Sequence, residues 1–143
     1  MTKSTDDIKI RVATSKDAQR LSPLFDQYRQ FYKQPSNNHE VFLFLQERLL
    51  KNESHIFYAE NNDSKILGFV QLYPSFSSVA LKRLWILNDL FVAPEARRQS
   101  TAKKLLRFAE NFSAQSESRG LTLKTAVDNA SAQILYESLG WKR

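Results

Sequence analysis

The 143-residue sequence contains no cysteine. That absence excludes disulfides, thiolate-ligated zinc, iron–sulfur clusters and thiol nucleophiles, and it makes the reducing cytoplasm the simplest location. Histidine is nearly absent as well. His39 and His55 have no partner at metal-ligand spacing, so no metal is expected. No run of about 18 apolar residues occurs, which leaves no helix to span a membrane. The N-terminal residues Met1 to Asp7 are polar and acidic, with no apolar stretch, and do not read as a signal peptide. Glycine is confined to Gly68, Gly120 and Gly140. No linker rich in Pro, Gly or Ser divides the chain, and no repeat appears. A single domain over residues 1–143 is the expectation.

Apolar residues make up 42% and charged residues 25%, which suits a folded domain and excludes a disordered or fibrous chain. A formal net charge of +6 favours anionic partners. Charge alone does not choose among nucleic acid, a membrane surface and a phosphorylated small molecule.

The apolar pattern alternates between the period of a strand and that of a helix. Ile8 to Val12 reads as a strand. Thr14 and Asp17 form a start signal for a helix carrying Leu21, Leu24, Phe25, Tyr28, Phe31 and Tyr32, stopped by Pro35. Ser36 to Asn38 opens a second helix with Val41, Phe42, Leu45 and Leu49. Ser54 to Glu60 and Ile66 to Tyr73 read as strands around an Asn61–Ser64 turn, followed by a polar loop over Pro74–Ala80. Leu84 to Val92 is an apolar run broken by Asn88 and Asp89, as in a central strand covered on both faces. Ala93-Pro94-Glu95 reads as a helix start, and Ala102, Leu105, Leu106, Ala109 and Phe112 mark its buried stripe. A strand over 121–127 and a last helix from Asp128-Asn129 to Gly140 complete the order β-α-α-β-β-β-α-β-α. Short turns make the strands over 54–92 antiparallel. The helix between 92 and 121 makes the next pair parallel, through a right-handed crossover.

The window from Asn88 to Arg107 carries the chemistry. A strand runs into a loop and then a helix N-terminus, where exposed N–H groups and the helix dipole suit an anion. Arg97, Arg98, Lys103, Lys104 and Arg107 add positive charge, which reads equally as a solvated basic face. The segment Arg97-Arg98-Gln99-Ser100-Thr101-Ala102 resembles the [Q/R]-x-x-G-x-[G/A] signature of the GNAT acetyltransferases. Leu90 to Glu95 resembles the family's strand leading into that loop, and Lys103 to Leu106 the helix leaving it. Asn129 to Trp141 resembles the family's N-x-x-A-x-x-L-Y-x-x-x-G-[F/W] segment. The element order matches too, so the resemblance covers nearly the whole chain. It is nearest to small histone/polyamine and diamine acetyltransferase-like members.

The resemblance implies a mixed α/β three-layer fold. Its sheet is mostly antiparallel, with helices on both faces and a parallel strand pair at the cofactor cleft. It implies transfer of acetyl from acetyl-CoA to a primary amine, either a small or polyamine-like amine or a Lys-like one. The backbone of Leu90, Phe91 and Val92 would pair with the pantetheine arm. Arg97, Arg98, Gln99, Ser100, Thr101 and Ala102 would hold the pyrophosphate. Asn129 would cap the last helix and lie near the arm. Tyr136 matches the family's acid, against its other reading as a core aromatic.

The base is less determined. Diamine acetyltransferases place a carboxylate at the position of Asn88, and Asn is no base. Asp89 is the candidate, provided a bulge turns it to the correct face; otherwise it reads as a turn or ion-pair carboxylate. A water relay to Glu60 is a further route. Tyr28, Tyr32, Tyr73 and Asn88 are expected near the amine, where aromatic faces attract cations, and the stretch from Gln71 to Ser78 is expected close to the substrate.

Two departures stand out. Ser100 occupies the central Gly position of the loop, and the sequence ends at Arg143 without the family's usual further strand. Three functions compete: the enzyme, a CoA-binding module that has lost catalysis, and a basic nucleic-acid-binding domain. The last ranks lowest, because no aromatic residue interleaves the basic cluster over 97–107. A homodimer is expected from the strand edge left open, and no membrane partner is.

Overall fold

The alternating apolar segments fold, in a computed structural model, into five strands and three helices; the structure describes residues 7–97 and 100–123, with Glu137 and Gly140. The strands are β1 (Lys9–Val12), β2 (His55–Glu60), β3 (Ile66–Ser77), β4 (Lys82–Val92) and β5 (Leu121–Leu123). The helices are α1 (Ala18–Phe31), α2 (Asn38–Leu50) and α3 (Thr101–Gln115). The sheet runs β1-β2-β3-β4-β5. The first three pairings are antiparallel, and β4 and β5 are parallel. Short turns and one helical crossover therefore produced the pairings that connection length requires. The last helix, with Asn129 and Tyr136, and the remainder of the 121–127 strand lie outside the described residues.

Two helices cover opposite faces of the sheet, and the parity of side chains shows it. On one face, Phe25 of α1 stacks on Phe69 at 3.6 Å, and Tyr28 reaches Phe91 at 5.4 Å. On the other, Phe57 packs against Phe108 and Phe112 of α3 at 4.9 and 5.0 Å, and Trp85 meets Phe112 at 5.0 Å. Phe57 and its neighbour Tyr58 point to opposite faces, as strand geometry demands. Phe57, Phe69, Leu72, Leu87, Leu105 and Leu106 are fully buried between these layers. Truncating one of the larger rings to Ala would cost about 3–5 kcal/mol.

Local chemistry explains the helix boundaries. The backbone N–H of Thr14 donates to Asp17 at 2.8 Å, which orders a short 3-10 turn leading into α1. Pro23 lies inside α1 and cannot bond the carbonyl of Gln19; the hydroxyl of Ser22 takes that carbonyl at 2.9 Å. Asn37 caps α2 by accepting from the N–H of Glu40. Asp26, 5% exposed, ties the two helices together. It accepts from the Ser36 hydroxyl at 2.5 Å and the Asn37 N–H at 2.7 Å.

Two sequence expectations need correction. The polar stretch over 74–80 is a loop only from 78 onward, because β3 continues to Ser77 in register with β4. Its partner β2 starts at His55 opposite Leu72, so among the described residues Pro74 sits where β3 has no neighbour on that side and its missing N–H leaves no gap in the ladder. The second correction concerns the helix start. Pro94–Ala96 forms only a 3-10 turn, and α3 begins at Thr101.

Candidate active site

A register shift in β4 builds the site. Gln71 pairs with Asp89 and Leu72 with Leu87, leaving Asn88 as the extra residue of a bulge. Leu87 shares the α3 face with Trp85. Strict alternation would then aim Asp89 at the α3 face too. The bulge reverses the parity, and Asp89 points with Phe91 toward α1. The geometric condition on Asp89 as a candidate base is therefore met, and the segment that interrupts the apolar run is the one that bends the strand.

Three neutral donors hold the Asp89 carboxylate. The Tyr28 hydroxyl donates to one oxygen at 2.9 Å. The Gln71 amide at 2.7 Å and the Asn88 amide at 3.0 Å donate to the other. Gln71 is itself fixed, accepting the Ser54 hydroxyl at 2.5 Å. No ion pair to Asp89 forms among the described residues.

A cavity of about 350 Å³ opens over this carboxylate, between β3–β4 and the first two helices. Asn88, Asp89, Tyr28 and Tyr73 line it, with Phe25 and Phe44 as its larger walls. Burial, followed by the nearby Asp89 charge, pushes the Tyr73 phenol up to about 12, so it keeps its proton at any physiological pH. Tyr32 does not line the cavity; it packs edge-on against Tyr28 at 5.2 Å. Gln71 and Tyr73, from the Gln71–Ser78 stretch expected near the substrate, line this cavity. The bond from Gln71 to Asp89 is what the sequence did not indicate.

Glu60 stands apart from this centre. It lies four residues along β2 from Ile56, the partner of Gln71, or about 13 Å at strand spacing. Arg11 and Arg20 both bond its carboxylate. Burial raises its pKa, but hydrogen bonds and charge from the two guanidiniums outweigh that and hold it below the ordinary range. A relay from the amine to Glu60 is not what this geometry offers.

The second half of the site lies at the start of α3. A cavity of about 320 Å³ is lined by Val92, Arg97, Ser100, Thr101, Ala102 and Lys103, with Ala96 behind them. The first N–H groups of α3 have no partner within the helix. Arg97 donates to the Val92 carbonyl at 3.1 Å and covers the Phe91 ring at 5.6 Å, which anchors the guanidinium beside the cavity. Thr101 is buried, and its hydroxyl reaches the Ala96 carbonyl at 3.5 Å. Ser100 adopts φ +63° and ψ +15°, the left-handed conformation, and its side chain makes no capping bond. Gly68 lets β3 approach here: a Cβ at that position would lie 2.9 Å from the Phe91 carbonyl oxygen. Arg98 and Gln99 lie outside the described residues.

The basic cluster is divided rather than one face. Arg107 pairs with Glu110 at 3.0 Å, whereas Arg97 and Lys103 turn to the cavity. Leu90, Phe91 and Val92 pair with Val70, Phe69 and Gly68 on one edge of β4. On the other edge β5 pairs only from Trp85 to Leu87, so among the described residues no strand covers that edge beyond the bulge. No described helix is long and apolar enough to cross a membrane. No group of metal-ligating side chains occurs among the described residues.

Comparison with known proteins agrees with this architecture. The profile of the acetyltransferase (GNAT) family matches residues 21–141. An N-acetyltransferase of Bacillus subtilis (strain 168), YhfO, described as uncharacterized, is 45% identical over 135 residues, covering 94% of this chain and 90% of that protein. A probable acetyltransferase of Haemophilus influenzae is 37% identical over 122 residues, covering 85% and 82%. The crystal structure of a probable acetyltransferase superposes with a TM-score of 0.90 at 44% identity, covering 94% of this chain and 90% of that one. A bulged central strand, a cationic cavity at a helix N-terminus and relatives at this level of identity lead to one conclusion: the chain belongs to the GNAT family and is an acetyl-transferring enzyme.

Proposed function

We propose that this acetyltransferase moves an acetyl group from acetyl-CoA to a primary amine by direct attack of the amine. The observation that carries this reading is that one strand serves both cavities. Asn88 and Asp89 line the larger one, and Val92, three residues on, lines the one at α3. Strand spacing puts about 10 Å between them.

The residues at α3 suit a diphosphate. The N–H groups of Thr101, Ala102 and Lys103, which have no partner within α3, meet two cations, Arg97 and Lys103, in one cavity. Arg98, Gln99 and Asn129 join this set by their match to the family's segments. Acetyl-CoA supplies an activated thioester. The open edge of β4 over Leu90–Val92 offers backbone N–H and C=O groups to an extended arm, as in strand addition.

Asp89 handles the amine. An alkylammonium must lose a proton, which costs about 4.6 kcal/mol at pH 7 for a pKa near 10.4. A carboxylate has about four lone-pair sites; three are taken by Tyr28, Gln71 and Asn88. The remaining one, on a carboxylate that lines the cavity, draws the ammonium and receives its proton. Those donors also fix the carboxylate rigidly. Tyr136, matched to the family's acid by its segment, returns a proton to the departing sulfur.

The test is calorimetric titration with acetyl-CoA followed by a thiol-release assay on primary amines. Micromolar binding and amine-dependent thiol release are expected. Asp89→Asn should lower kcat/KM for the amine about 100-fold or more with acetyl-CoA affinity retained, and Tyr136→Phe should lower kcat. No binding at millimolar acetyl-CoA would refute the reading. A second reading, a CoA-binding module without catalysis, is favoured by the left-handed Ser100 where the family's signature has Gly. It predicts binding with no thiol release on any amine.

A further inference from the structure

Building on this proposed amine acetylation, we propose that the acceptor is a monoamine with an apolar, aromatic body: its amine sits at Asp89 and its ring lies between α2 and the β3–β4 hairpin. The cavity's large walls are rings and aliphatic chains, Phe25, Tyr28 and Phe44 with Val41 and Leu45. Its one carboxylate held by hydrogen bonds is Asp89. The other acidic residue at the cavity, Glu40, is exposed on the first turn of α2 and shares the lining with Arg29, so positive and negative charge meet at that rim. A polyamine would bring further ammonium groups past apolar walls to a rim that already holds a guanidinium.

A polyhydroxylated amine fits no better. Gln71, the inner amide, has its N–H on Asp89 and its oxygen on Ser54. Sugar hydroxyls entering the cavity would leave water for partners already engaged, and unpaired buried hydroxyls are costly. Tyr73 and the Asn88 amide oxygen are the exceptions. The Tyr73 hydroxyl forms no hydrogen bond with a described residue, lines the cavity beside Asp89 and stays protonated, which makes it a donor for the amine end, where Asn88 also lies.

Aromatic surface continues outside the cavity. Phe31 is 62% exposed and Tyr32 43% exposed. Tyr32 packs on Tyr28 at 5.2 Å, Phe31 on Tyr32 at 5.3 Å, and Phe31 reaches Phe91 at 6.3 Å. Rings thus lead from the Asp89 side toward the strand end that serves α3. This row suits a flat apolar ligand and offers no second anionic point.

The test measures thiol release with 2-phenylethylamine, ethylamine, spermidine, a lysine-containing peptide and kanamycin. The expected result is a kcat/KM for 2-phenylethylamine at least tenfold above each of the others. Phe44→Ala, at a half-exposed position where the fold tolerates truncation, should lower the ratio of phenylethylamine to ethylamine at least fivefold. Preference for spermidine, the peptide or kanamycin would overturn this inference and leave amine acetylation standing. Acetyl-CoA binding with no release on any amine would overturn the parent reading, and this inference with it. An unchanged ratio in Phe44→Ala would remove the ring from the site.

Discussion

Replacing Ser100 with Gly should make the protein more stable and tighten its hold on acetyl-CoA. Ser100 sits at φ +63° with no capping bond from its hydroxyl, so Gly loses no contact there. The left-handed conformation costs an L-residue about 1–2 kcal/mol. Gly removes that cost but gains freedom in the unfolded chain, which opposes the change by about 0.4–1 kcal/mol. The net gain is about 0.5–1 kcal/mol. For a chain of this length that is a rise in Tm of about 1–4 °C. Differential scanning calorimetry reads it directly. Ser100→Ala is the control: it deletes the hydroxyl, keeps the Cβ and should not raise Tm. In titrations, loss of the Cβ at the rim of the α3 cavity should lower the acetyl-CoA Kd several-fold. A Gly variant that melts at or below the parent temperature, with an unchanged Kd, would refute the reasoning. The loop would then tolerate a side chain at no cost, and the family's Gly would have another purpose.

Asp26→Asn should destabilise the protein by about 1–3 kcal/mol, because one of the two oxygens that accept from Ser36 and Asn37 would become an NH2 group facing a donor. The Ser36 hydroxyl and then the Asn37 N–H hold the Asp26 pKa below its ordinary value. Its stabilisation is therefore complete above the unfolded pKa of about 3.9 and lost as pH falls through the lower folded value. Urea unfolding between pH 7 and 3 should show the gap to Asp26→Asn narrowing under acid; a constant gap would contradict this. Burial and then the Arg83 charge lower the pKa of His55, which packs on Trp85 at 4.8 Å. The unfolded chain takes up that proton first as pH drops below about 6.5, so acidification weakens the fold. The Tm of His55→Phe should fall less between pH 7.5 and 5.5 than that of the parent, and equal slopes would refute the assignment.

The sequence by itself determined the element order, the antiparallel strands, the parallel β4–β5 pair and the family. These follow from local information: apolar periodicity, the lengths of connections, and short segments such as Arg97 to Ala102. It also pointed to Ser100 as an odd residue, since the expected Gly signals a backbone requirement at that one position. Tertiary structure alone decided the direction of Asp89. Alternation along β4 depends on a register with β3 that no local pattern states, and the extra residue at Asn88 reverses it. The same dependence hid the bond from Gln71 to Asp89, which exists only once β3 lies beside β4. It also hid the extension of β3 through Pro74, a residue that reads as a breaker until the absence of a described neighbour on that edge makes its missing N–H harmless. Glu60 was settled by partners 49 and 40 residues away, Arg11 and Arg20, whose charges hold it in an ion-pair cluster instead of a proton path. Periodicity records which side of an element is buried. Which polar groups meet depends on pairings between distant segments, and those pairings placed Asp89 among its three donors.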